Sequence, residues 1–214
     1  MHIPDGFISP KVFVPAYAGA AALWVFAARR IKRSLNEEAL PLIAVITALA
    51  FVLMMIAIPL PGGTSVHASG IGILAVLFGV WASYLSISLV LMIQALLFGV
   101  GGVTSLPVNA LAMGLVGGFA AAAGFRALKR LSGKAALFVA GWLSVVVPAV
   151  ILAVVLGIQP AIAHDADGTP LFFPFDIAIT LPAITLPHAL VGLGEGVLTV
   201  LVYQFVSRMR RRST

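Results

Sequence analysis

The chain has 214 residues, of which 61% are hydrophobic and only 9% are charged. With a mean hydropathy of +1.13 this excludes a water-soluble globule and a disordered tail, because soluble domains are about 45–50% apolar and about 25% charged. The net charge of +6 reads as loop charge on an integral membrane protein, not as a nucleic-acid footprint. With no cysteine, neither disulfides nor thiolate metal sites are on offer.

A spanning helix needs roughly 20 mostly apolar residues. Residues 12–28 form the first candidate, stopped by RRIKRSLNEE at 29–38. The second covers 40–59, and a polar break follows at 60–70, LPGGTSVHASG. Residues 71–98 carry no formal charge. A Gly-rich break, GVGGVTSLP, occupies 99–107, and the next span covers 108–125. The basic loop 126–134 leads to a span at 135–157. A long loop at 158–180 contains HDADG, read as solvated because the rest of a calcium loop is missing. The last span, 186–206, ends at SRMRRRST.

Twelve of the thirteen Lys and Arg residues lie in 29–39, 126–134 and the tail, and none lies in the breaks at 60–70, 99–107 and 158–180. The positive-inside rule makes the three basic segments cytoplasmic. The crossings between 60–70 and 126–134 must then be odd in number. This predicts that 71–98 is two short, packed helices turning near Trp81 to Ser86. The expected fold is an all-α integral membrane protein of seven transmembrane helices, N-terminus outside and C-terminus cytoplasmic, forming one domain over 1–214. MHIPDGF lacks the basic region of a signal peptide, so retention of the native N-terminus is expected. GxxxG spacings at Gly114/Gly118 and Gly192/Gly196 predict close helix packing.

The few polar residues carry the chemistry. The Met1 amine, the His2 backbone nitrogen and the His2 Nδ1 can close two fused chelate rings on one ion. Planar nitrogen ligation suits Ni(II) and Cu(II) and can be imposed on Co(II). His67, the one titratable group in its break, can fill the fourth corner; the alternative is a solvated loop histidine. Glu195 is the one acid inside a predicted span, so it marks a site or partner, or is a hydrogen-bonded packing residue. Gln94 and Asn109 either anchor ligand loops behind the metal or tie helices together. His188, two turns before Glu195, ranks below His67 as a ligand. The chain has no Walker A motif, no HExxH and no Ser-His-Asp arrangement, so what it does in the membrane is binding or permeation, or is powered by another subunit.

MHIPDGFISP, GGTSVHASG, LMIQALLFGVGGVTSLPVNALAMGLVGG and HALVGLGEGVLT together resemble, in order, the CbiM/NikM family. These are the substrate-binding S components of energy-coupling-factor (ECF) transporters for cobalt and nickel. The family usually has a small residue, often Gly, where Leu106 or Pro107 stands. The resemblance implies seven helices, with the N-terminal segment inserted from outside into the bundle. It implies Co2+ or Ni2+ as transported substrate, held by Met1, His2 and His67, with no resident cofactor and no enzyme activity. It also implies a transmembrane coupling subunit and a cytoplasmic ATPase pair in a prokaryotic cell membrane, with a service to cobalamin biosynthesis. A small extra membrane component is expected as a separate chain. An ATP-independent metal carrier and a membrane-embedded metalloenzyme using Glu195 as base are the alternatives.

Overall fold

The structure, a computed structural model, describes residues 2–34, 37–60 and 65–212. Among these, five helices are long and apolar enough to cross a membrane: Pro10–Arg33, Val80–Phe98, Leu106–Leu128, Gly133–Ile162 and Ile177–Arg211. The chain is a multi-pass helical membrane protein.

Helix α1 (Pro10–Ser34) opens on proline, whose missing N–H costs nothing in a first turn. It turns an apolar face outward, with Val14 57% and Phe26 50% exposed, as lipid contact requires. A 3-10 turn, Glu37–Ala39, leads into α2 (Leu40–Met55), an apolar helix shorter than the other spans. The break after α2 is not wholly irregular. Strand β1 (Ile58–Pro59) pairs antiparallel with β2 (Ser65–Val66), in the register Ile58↔Val66 and Pro59↔Ser65.

Residues 71–98 are two helices, α3 (Ile71–Phe78) and α4 (Val80–Ile93), and the latter continues as a π-helical stretch, Gln94–Phe98. The junction is Gly79, with φ +89°, not the expected Trp81 to Ser86. Only glycine takes that backbone angle without strain. Ile71 to Ala75 are all buried, since a helix this short cannot face lipid along a full crossing. After a loop at 99–105 come α5 (Leu106–Asn109), a π-helical stretch Ala110–Gly117 and α6 (Gly118–Leu128). Leu106 and Pro107 form the first turn of α5 and are buried.

Helix α7 (Gly133–Gly157) starts at an N-cap, Ser132, whose side chain accepts from the Ala135 N–H. A short α8 (Gln159–Ile162) follows, and the loop then runs to α9 (Ile177–Arg212), which begins earlier than residue 186. HDADG lies in that exposed loop, where Asp165 Oδ1 accepts from the Asp167 and Thr169 N–H groups. It is a local turn.

Helices α7 and α9 make the most extensive helix contact. It depends on missing side chains. A Cβ at Gly141 would lie 2.5 Å from Thr199 Oγ1 and 2.6 Å from the Glu195 carbonyl oxygen. One at Gly72 of α3 would lie 2.8 Å from Gly141 Cα. Both GxxxG faces pack within the chain: Gly114 and Gly118 against α4, Gly192 and Gly196 against Trp142 and Phe138. The loop before α3 therefore sits deep in the bundle. Gly72 touches α7 about 12 Å along from its start, at ~1.5 Å per residue.

Gly141→Leu is expected to destabilise the detergent-solubilised protein by at least ~1–3 kcal/mol, the usual cost of overpacking. Gly133→Leu, where a Cβ meets nothing within 4 Å, is the control. Equal thermal unfolding temperatures for both variants and the parent would contradict the close packing of α7 and α9.

Candidate metal centre

Two non-helical segments meet inside the bundle, and each carries one histidine. The first is residues 2–9, in which His2, Ile3, Ile8 and Ser9 are all at most 3% exposed. Buried backbone outside a helix needs partners from elsewhere. Asn109 supplies two of them. Its Oδ1 accepts from the Ile3 N–H at 3.0 Å, and its Nδ2 donates to the Ile3 carbonyl at 3.0 Å. Ser105 Oγ donates to the same carbonyl and accepts from Asn109 Nδ2. Farther along, the Ser9 N–H donates to Gln159 Oε1 at 2.9 Å, while Gln159 Nε2 donates to the Val155 carbonyl at 2.7 Å.

Asp5 fixes the segment to the 99–105 loop. Its carboxylate accepts from the Val103 N–H at 3.0 Å, the Thr104 N–H at 2.8 Å and Thr104 Oγ1. Burial alone would raise its pKa, but the bonds from Thr104, Val103 and Ser105 win and hold it below the usual carboxylate value. Gly101, with φ +77°, closes over His2; a Cβ there would lie 3.3 Å from His2 Cβ.

The second segment, 65–70, holds His67 from both sides. Val66 is tied to Ile58 in the β-pair. Beyond His67, the Ser69 and Gly70 N–H groups donate to Glu195 Oε2 and Oε1, each at 2.8 Å. Ser69 Oγ also donates to Glu195 Oε1, at 3.3 Å. These N–H groups open α3, where helix donors lack intrahelical partners. A carboxylate from α9 satisfies them instead, a placement the helix dipole favours. Glu195 is 0% exposed, and both its oxygens are occupied by this loop.

The two imidazoles stack, with ring centroids 4.5 Å apart and planes inclined by 27°. His67 Nδ1 lies 2.9 Å from the Ala68 carbonyl, which can only accept. Nδ1 therefore carries the hydrogen and Nε2 presents a lone pair, with no partner. Both His2 ring nitrogens are likewise buried and without a partner. Burial holds both rings well below the ordinary histidine pKa of 6.5, so both are neutral at pH 7. Neutral imidazole is the form that binds metals.

The structure thus brings His2 and His67 together, backs His2 with Asn109 and backs His67 with Glu195. Met1 lies outside the described residues. Gln94 is fully buried and neither end of its amide has a partner; it precedes the loop that covers His2. His188 is 0% exposed and sits on α9 within electrostatic reach of both imidazoles. Ser69, Ser105, Gln159 and Asp5 escaped the sequence reading. Gln159, an amide opening an otherwise uncharged stretch, and Asp5, an acid in a buried apolar segment, left a signal; the two serines left none. Among the described residues no group of three or more His, Cys, Asp or Glu side chains gathers.

Comparison with known proteins follows this geometry. The chain is 39% identical over 215 residues to a fused nickel transport protein, NikMN, of Rhodobacter capsulatus. It is also 39% identical over 213 residues to a probable fused nickel transport protein, LarMN, of Lactiplantibacillus plantarum. The matches cover 97% and 98% of this chain but 62% and 65% of those relatives; the chain spans a little under two thirds of their length. A crystal structure of a truncated transition metal transporter superposes with a TM-score of 0.94 at 35% identity, covering 98% of this chain and 99% of that one. The profile described as cobalt uptake substrate-specific transmembrane region matches residues 2–213, and the chain belongs to that family, CbiM.

Proposed function

We propose that this chain is the metal-capturing subunit of an ECF-type importer for Co2+ or Ni2+. The observation that carries the reading is the stacked pair of buried, neutral imidazoles, each with an unpartnered nitrogen, on two anchored non-helical segments. In this reading the Met1 amine, the His2 amide nitrogen, His2 Nδ1 and His67 Nε2 form a four-nitrogen plane. Mg2+ and Ca2+, which want oxygen ligands, are rejected. The imidazoles are already unprotonated at neutral pH, so protons compete with metal there mainly at the amine and the amide. Asn109 and Glu195 orient the two ligand segments without touching the ion. Glu195 as general base of a metalloenzyme gains no support, since both its oxygens are engaged by Ser69 and Gly70.

The same reading has seven membrane helices, α3 making a deep half-length turn beneath the site, with the N-terminus outside and the C-terminus in the cytoplasm of a prokaryotic cell. Work for release comes from a coupling subunit and a cytoplasmic ATPase pair, with a small extra membrane component. Cobalamin biosynthesis is the proposed use of the cobalt.

Three outcomes are expected. His67→Ala weakens metal binding far more than tenfold, the factor equivalent to about 1.4 kcal/mol, whereas His164→Ala, in an exposed loop, binds like the parent; metal titration of purified protein makes the comparison. One residue added ahead of Met1 converts its amine to a peptide amide and abolishes tight binding, while a tag after Thr214 does not; metal retained equally by both tagged forms would remove Met1 from the ligand set. Reporters fused after Arg33, Lys129 or Arg211 read cytoplasmic, and those within 99–107 or 160–170 read external. An external signal at Lys129 would refute the crossing count.

A further inference from the structure

His188 is a third buried imidazole that the four-nitrogen plane does not use. Its Nδ1 lies 2.7 Å from the Ile184 carbonyl, one turn earlier on α9. A carbonyl only accepts, so Nδ1 carries the hydrogen and the lone pair is on Nε2. That Nε2 is buried and has no partner. A buried imidazole normally finds one. Thr185, three residues earlier and so on the same helix face, also has an unpartnered, buried Oγ1.

Position points the same way. Glu195 is level with Gly70 through their hydrogen bond. His188 lies ~10 Å from Glu195 toward the start of α9, at ~1.5 Å per residue. His67 lies three residues before Gly70. His188 thus shares a helix with the carboxylate that holds the His67 loop, and it lies within electrostatic reach of both site imidazoles. It does not join them as a co-ligand cluster.

We propose that His188 Nε2 is the entering ligand for metal exchange at the site, an inference that rests on the four-nitrogen reading above. A planar four-nitrogen ion has its in-plane positions filled and is open above and below. Substitution at such a centre proceeds by attack of a fifth donor before a bound one departs. The Nε2 lone pair of His188 forms a metal–nitrogen bond, and the bond to His67 Nε2 breaks, returning its electron pair to His67. No electron is transferred, and no proton moves, because Nδ1–H of His188 stays on the Ile184 carbonyl. The same helix carries Glu195, which holds the His67 loop. A movement of α9 thus shifts the clamp on the departing ligand and the entering ligand together.

An entering ligand changes rates, not equilibrium. Ni2+ binding to purified protein and its release into excess chelator are followed by stopped flow for His188→Ala and His188→Asn. The Asn variant keeps an N–H donor for the Ile184 carbonyl and deletes Nε2, so it serves if the Ala variant folds poorly. The expected result is that association and release both slow by about tenfold or more while Kd changes by less than about threefold. Unchanged rates in His188→Asn would overturn the proposal. So would a loss of affinity with an unchanged association rate, which would make His188 an equilibrium ligand or a packing residue. His67→Ala run in parallel keeps the two readings apart. Parent-like affinity there refutes the four-nitrogen site itself, whatever His188 does.

Discussion

Inside a membrane-embedded bundle, a stretch of backbone that is not helical must have its N–H and C=O groups satisfied by protein, because no water is at hand. Each unsatisfied group costs several kcal/mol. Residues 2–9 and 65–70 are two such stretches, and the rest of the site follows from how they are held. Asn109 mimics a peptide neighbour for Ile3, offering one acceptor and one donor. Gln159 does half of this for Ser9. Glu195 receives two N–H groups at the start of α3. These polar side chains cost desolvation wherever they stand in an apolar helix. They are tolerated because the exposed backbone beside them would cost more.

The anchors also account for the unpartnered nitrogens. His2 and His67 are fixed by their main chains, so their rings do not need hydrogen bonds to stay in place. His67 spends only Nδ1 on the Ala68 carbonyl. What remains is electron-pair donors held in a dry, uncharged setting. Two neutral rings can stack as these do; two protonated ones would repel. Burial lowers the proton affinity of each ring and so leaves two neutral rings free to stack.

The sequence revealed the helices and the histidines for the same reason: both stand out against an apolar background. Charge-free runs marked the spans, and His2, His67, Gln94, Asn109 and Glu195 were visible because so little else there is polar. Roles were less legible than positions. That Asn109 holds Ile3, and Glu195 holds Ser69 and Gly70, depends on contacts across more than a hundred residues, which no local pattern encodes. The turn in 71–98 falls at Gly79, earlier than the sequence suggests, since Gly79 is one glycine among 21 and only its backbone angle singles it out. The β-pair was invisible, being two residues per strand and including a proline. The early start of α9 is masked by Pro182, which stands ahead of the span expected at 186–206 but lies inside the helix.

The anchoring of the ligand segments has a consequence for biosynthesis. Ile3 bonds to Asn109 across 106 residues, Ser69 to Glu195 across 126 and Ser9 to Gln159 across 150. Contacts so distant in sequence are slow to form, because the chain between them must be ordered first. Residues 2–9, made before the helices that anchor them, are therefore among the last to reach their native places. The pocket closes only when α9 has been made and docked on α7. A nascent or truncated chain has both histidines but not the anchors that bring them together.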